Sequence, residues 1–532
     1  VGFLRYNHRW TQRALGFLFL LQVAFADTGL AAQGDAPAED LRQIQQHIQQ
    51  GDVAAARDRI HQTLRLFPRD FNLHNFLGVV EAQQANYEQA ESSFKRAISL
   101  VPSNVGAYLN LGRLYQQNAT KDPKALQKGL EIYRQLLRFH PANLEALYQS
   151  AVLLNLVQDF KESEAQLSLL PPEARESSQV LGLHCANQVG LGESQNAEET
   201  AQKLIASRDL TESDVLVILP LAASQQSLDL RQKLLEALNR RGLASSGALR
   251  QLGLVYERQG RLQAAREMLD KAAQGAANLV DLLLDLARVA HRQEDFKGAL
   301  SYLAHARDLD SKNPGIHFFF GMVCIDLDLP LEAKKSLVEA VNLDPGNAYA
   351  NYALGSVLLQ DRDPSLAIPY FQKYCELKPN DVRGRFSLGV AHFYSNDFES
   401  AKKELGRTAA NPETSAGSHY FLARVAKQEN HLAEAMDHLK RSLSANPNYS
   451  EAYAELGLVH IRNKEYPQAE RVLMRALELS PESYLANLNL LNLYQRTQDP
   501  RADEQAQRFE IVKKKQSERQ QALLRTVEVR PY

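Results

Sequence analysis

One spacing constrains this chain more than any other property: small, alanine and large apolar residues return every 34 positions. In seven consecutive segments from 246 to 483 the eighth residue is small, as Gly253, Ala287, Gly321, Gly355, Gly389, Ala423 and Gly457. The twentieth is always alanine, from Ala265 through Ala299, Ala333, Ala367, Ala401 and Ala435 to Ala469. A large apolar residue holds the twenty-fourth place, for example Leu269, Leu337, Phe371 and Leu473, and Pro345, Pro379, Pro447 and Pro481 hold the thirty-second. A fixed period of this length signals stacked units, each too small to bury its own apolar face. At 532 residues the chain exceeds what one compact core supports, so a repetitive architecture is expected on size as well.

The pattern within a segment predicts two antiparallel helices. Small residues at the eighth and twentieth places let the helices approach, and the large residue fills the space beside them. Proline stops the second helix, because it lacks an N–H and clashes with the preceding turn. Polar stretches such as QGRLQAA and NDFESA supply the turn between helices.

This spacing of residues resembles the tetratricopeptide repeat (TPR) family. The upstream half carries it too: segment 71–104 has Leu77-Gly78, Ala90, Phe94, Ala97 and Pro102, and 37–70 fits less well, closing at Pro68. Segment 105–143 is five residues longer, the excess falling in NATKDPK. The signature fades over 144–172 and is nearly lost over 173–245, where Pro171-Pro172 and Pro220 stand. The resemblance implies an all-α fold, a right-handed α-solenoid of roughly 12–14 helix pairs with a C-terminal capping helix. The expected organisation is a signal peptide (1–26), a short linker (27–36), an N-terminal array (37–172) and degenerate helical repeats (173–245). The regular array (246–483), then final helices and a cap (484–532), complete it.

The N-terminus differs from the rest. Arg5, Arg9 and Arg13 precede the apolar run ALGFLFLLQVAFA over 14–26, ending in Ala24-Phe25-Ala26. Basic, apolar and small-residue regions in that order are expected of a secretory signal peptide. An uncleaved anchor and a false start in the gene model are the alternatives. The run's 13 residues fall short of the roughly 20 that span a bilayer. The expectation is an exported protein of a bacterial envelope, periplasmic or secreted, with no transmembrane span after cleavage. Cys185, Cys324 and Cys375 are too few and too scattered for a disulfide framework, and are expected to be small buried hydrophobes.

A formal net charge of −2 gives no electrostatic reason to expect nucleic acid. No phosphate loop, zinc-protease motif, nucleophile elbow or calcium loop occurs, so no catalytic residue, cofactor or metal is expected. The expectation is a non-enzymatic scaffold.

In TPR proteins the first helix of each pair lines a concave groove, through roughly its second, fifth, sixth, ninth, twelfth and thirteenth residues. Carried onto this sequence, upstream units offer polar places such as Asn75, Asn110 and Gln116. Arg288 and Arg292 follow. Four units then turn aromatic: Phe318, Phe319 and Met322; Tyr349 and Tyr352; Arg383, Phe386 and Phe393; Tyr420, Phe421 and Arg424. Aromatic residues and arginine are enriched at binding hot spots. Two readings stay open: a ligand covers these rings, or neighbouring first helices do. The implied ligand is an extended peptide or a partner helix, with arginines orienting acidic groups. A glycan, in envelope or polysaccharide assembly or secretion, is the alternative. The two-carboxylate clamp of some TPR domains is absent from 71–172, where Asn75, Val79, Asn110, Glu145 and Gln149 give one match in five.

Overall fold

The structure, a computed structural model, describes residues 36–119, 122, 124–222, 227–276 and 279–518. The expected leader over 1–26 and the terminal stretch 519–532 lie outside these. Among the described residues there are 29 helices and no strand; all but the four-residue Pro172–Arg175 are arranged as antiparallel pairs. The chain divides into two compact units, Val1–Ala276 and Ala277–Tyr532, each described by itself.

Unit 1 begins with the pairs Ala38–Gln49/Val53–Leu66 and Phe71–Gln83/Tyr87–Leu100. Val105–Asn118/Ala125–Phe139 and Leu144–Leu156/Phe160–Ser168 follow. In the faded stretch, Ser178–Leu191 and Ser194–Ala206 still form a full pair. The next pair is shortened, with five-residue Glu212–Leu216 set against Leu228–Arg240, and Ser246–Arg258/Leu262–Ala273 closes the unit.

Unit 2 is regular. Its first helices are Leu279–Arg292, Pro314–Asp326, Ala348–Gln360, Val382–Tyr394, Ser415–Gln428, Ser450–Arg462 and Tyr484–Thr497. Its second helices are Phe296–Leu309, Pro330–Leu343, Pro364–Leu377, Phe398–Thr408, Leu432–Ala445, Tyr466–Leu479 and Ala502–Glu518.

The packing explains the period. A Cβ on Gly321 would lie 2.7 Å from Leu337 Cγ, and one on Gly389 equally close to Leu405 Cγ. The twenty-fourth residue therefore rests directly on the eighth, which has to be small. The twentieth-place alanines are fully buried between the helices. Many first helices start on side-chain caps: Asn347 Oδ1, for example, accepts from the Ala350 N–H at 3.0 Å.

The turns from first to second helix are equally regular. Glu294, Asp328, Arg362, Asn396, Asn430, Lys464 and Gln498, spaced 34 apart, all have positive φ, between 53° and 63°. The residue after each donates back across the helix end, as Leu329 N–H does to Cys324 O at 2.8 Å. This closes a Schellman turn and satisfies carbonyls the helix leaves open. Unit 1 uses the same turn at Gly51, Ala85, Gln158, Gly192 and Gly260.

The last helix, Ala502–Glu518, is a cap. Phe509 and Val512 are buried, Phe509 packs on Tyr484 at 5.1 Å, and Gln505 Nε2 donates to Asn487 O at 3.1 Å. Cys185 and Cys324 are buried as expected. Cys375 is only partly covered, because it borders an open cleft with Gln372, Glu376 and Arg385.

Candidate binding face

The expected site residues all lie on first helices of unit 2, and the structure sorts them by cover. Phe318 and Phe319 are half-buried, packed on the core from outside. Phe320 between them is core, with the Arg307 guanidinium 4.5 Å above its ring. Phe319 meets His291 edge-on at 5.8 Å, and His291 Nε2 lies 2.7 Å from Asp326 Oδ2. Tyr349 is the most open ring at 39% exposure, with Lys378 Nζ 5.3 Å from its centroid. Phe386 is half-buried: its ring occupies the space a side chain on Gly417 would need, 2.8 Å from a Cβ there.

Met322, Tyr352, Phe393, Tyr420 and Phe421 fall on the other side of the divide. All are at most 5% exposed and belong to the core cluster of this unit. Neighbouring helices cover them, so they are core residues and offer no open ligand surface. Tyr352 packs on Tyr374 at 4.9 Å and its hydroxyl lies 3.2 Å from Ser387 Oγ. Phe421 is the hub, with Tyr420 at 5.2 Å, Phe393 at 5.4 Å, Tyr394 at 6.0 Å and Phe386 at 6.1 Å. The open rings thus stand on a floor of buried ones.

The cations are not idle. Arg383 grips Asp381 through two hydrogen bonds, Nε to Oδ1 at 3.0 Å and Nη2 to Oδ2 at 2.7 Å. Asp381 also accepts the Arg383 N–H as helix cap and the Tyr374 hydroxyl at 2.6 Å. The Arg383 guanidinium, with Tyr374, holds the Asp381 carboxyl down at about 2. Arg424 lies over Phe393 at 4.5 Å, within 5.7 Å of Phe421, Tyr420 and Tyr394. Its Nε is 3.8 Å from Glu455, a nearly buried carboxylate that also takes Lys427. Arg288 and Arg292 are exposed on their helix, and Arg288 pairs with Asp285 at 2.8 Å.

Sequence reasoning missed the two carboxylates, Asp381 and Glu455. Their signals were present: Asp381 stands at the cap place that Asn313 and Asn347 fill in preceding units, and Glu455 at a sixth place. Among the described residues no group of three or more histidine, cysteine, aspartate or glutamate side chains is set to hold a metal ion. No described helix is long and apolar enough to cross a membrane.

Comparison with known proteins follows the same lines. A family model described as tetratricopeptide repeat matches residues 41–105, 81–143, 251–314, 326–382 and 386–450, more than half of the chain. A second of the same description matches 426–491. Human protein O-mannosyl-transferase TMTC3 is 22% identical over 440 residues, which are 80% of this chain and 41% of that protein. Bovine BBSome complex member BBS4 is 22% identical over 242 residues, 45% of this chain and 46% of that one. The chain spans less than half the length of these curated relatives. Among solved structures, the APC/C hetero-tetramer Cut9-Hcn1 is 14% identical, with 85% of this chain and 95% of that one covered, at a TM-score of 0.38. YrrB, a TPR protein with an unusual peptide-binding site, is 23% identical, with 42% of this chain and 96% of that one covered, at a TM-score of 0.27.

Proposed function

We infer the role of this protein from one premise: the chain belongs to the tetratricopeptide repeat family. It is a non-enzymatic protein-interaction scaffold, and the first-helix face of unit 2 receives one segment of a partner protein, an extended peptide or a helix. One observation carries this reading. Phe318, Phe319, Tyr349, Phe386 and Tyr394 are incompletely covered on three successive first helices, above a buried aromatic floor. Such rings bury large area on contact with few rotors to freeze.

The charges sharpen the kind of partner. Arg383 and Arg424 each face a carboxylate of the same chain. An acidic ligand would have to displace Asp381 or Glu455, so the favoured partner presents apolar or aromatic side chains. Export through the leader expected at 1–26 belongs to the same proposal, and cell fractionation with an antibody tests it.

The test of the face is the double variant Phe318→Ala with Phe386→Ala. It should abolish capture of the native partner while helicity is kept and stability falls by much less than emptying two core sites would cost. Loss of stability by about 3–5 kcal/mol per ring, the cost of emptying a core site, would instead make both rings core and sink the reading.

A second reading draws on the similarity to a protein O-mannosyl-transferase over 80% of this chain. In it, the array serves glycan assembly and the rings stack on sugars. Calorimetric glycan binding by the purified chain would favour it.

A further inference from the structure

His419 and His438 face each other across one helix pair of unit 2. Their Nδ1 atoms are 3.0 Å apart and their rings 5.2 Å, tilted by 31°. His419 belongs to helix Ser415–Gln428 and His438 to its partner Leu432–Ala445. The charges acting on the pair are Glu434, Asp437 and Arg441, all on the second helix, with Glu434 Oε1 3.8 Å from His438 Nε2. From the preceding helix Phe398–Thr408, the neutral Thr408 hydroxyl meets Ser418 at 2.7 Å, beside His419.

Two neutral imidazoles can satisfy this geometry, one Nδ1–H donating to the other Nδ1. A first proton can also be held, because a protonated ring still donates to a neutral one. A second proton has no acceptor and puts two cations nitrogen to nitrogen. Burial pushes both groups below the usual histidine range; for His419 the neighbouring His438 adds to it, and for His438 Arg441 does, against Glu434 and Asp437. Their stabilising effect is therefore complete above the unfolded value of about 6.5 and is lost as pH falls from there toward the lower folded values.

The pair sits where it can matter. His419 immediately precedes Tyr420 and Phe421, and Phe421 supports Phe386 and Tyr394 at 6.1 and 6.0 Å. We propose that the His419–His438 pair makes the aromatic face of unit 2 acid-sensitive: double protonation separates these two helices and releases the bound partner segment. This rests on the partner-binding role given to that face above.

Hydrogen exchange on the full chain at pH 7.5 and 5.5, with labelling times corrected for intrinsic rates, tests it beside partner capture at both values. Peptides from 415–428 and 432–445 should exchange several-fold faster in acid while 348–360 does not, and capture should be lost. His438→Gln, and independently His419→Gln, should remove both changes with unaltered helicity at pH 7.5. Equal protection at both pH values, or an equal loss in both variants, overturns the switch whether or not a partner is captured. Capture failing at pH 7.5 overturns the binding role instead, and the exchange result then stands or falls alone.

Discussion

Gly182→Ala tests whether the faded stretch of unit 1 is packed as part of the array. Gly182 lies within helix Ser178–Leu191, and a Cβ there would be 2.5 Å from Asp214 O, 3.1 Å from Asp214 C and 3.2 Å from its Cα. These are backbone atoms, so no rotamer change relieves the clash. Asp214 is itself tied down, its Oδ2 accepting from the Thr211 N–H and hydroxyl at 2.8 Å each. Val215 and Ile218 behind it are fully buried. Real Cβ contacts essentially never fall under 3.0 Å, so the short helix has to retreat by at least the difference from 2.5 Å. Overpacking of this kind costs roughly 1–3 kcal/mol. Intrinsic propensity works the other way, since alanine in a helix interior is better than glycine by about 0.8–1 kcal/mol. The net expectation is a loss of about 1 kcal/mol, opposite in sign to propensity alone. Gly406, in helix Phe398–Thr408 with nothing within 4 Å of its would-be Cβ, is the control, and Gly406→Ala should gain about 0.8–1 kcal/mol. Hydrogen exchange under mild urea reads each segment's stability separately. Stabilisation of 178–216 by Gly182→Ala would refute the contact and with it the docking of helix Glu212–Leu216.

Further outcomes follow from the same geometry. Phe421→Ala should cost about 3–5 kcal/mol, because the ring is fully buried among four others, and urea unfolding of the 348–460 region measures it. Asp381 should contribute stability that is complete above about pH 4, its unfolded value, and is lost as pH falls through about 2. In an acid titration followed by circular dichroism, Asp381→Asn should flatten that limb. Ala85, at φ 61°, should accept glycine with a gain of about 0.5–1 kcal/mol, the relief of a left-handed alanine less the added freedom of the unfolded chain. A shifted urea midpoint at unchanged slope would show it.

Much of the fold was legible because close packing leaves its mark on residue size. Gly321 and Leu337 are sixteen positions apart on different helices, yet each dictates the other's volume. The turns were less legible. Glu294, Asp328, Arg362 and Lys464 share a backbone conformation that their side chains do not advertise. The binding face was legible as a set of places but not as a surface. Phe386 and Phe421 hold equivalent-looking aromatic places, and only the arrangement of the next helix leaves one partly open and covers the other. The neutralised arginines escaped for a related reason: Arg424 meets Glu455 from the following unit, a contact invisible to a reading made one unit at a time.

Arg424 also bears on how this protein can be re-engineered. Repeat arrays are commonly shortened by cutting at the period and rejoining, on the assumption that each unit answers only to its neighbours. Its guanidinium touches three successive segments, through Phe393 and Tyr394 before it, Tyr420 and Phe421 beside it, and Glu455 after it. Excising 416–449 would set Val390 in place of Arg424 and Phe393 in place of Lys427. Glu455 would then be a nearly buried carboxylate with both of its cations deleted, a severe penalty. Splicing at this repeat needs Glu455→Gln or a hydrophobic replacement in the same step.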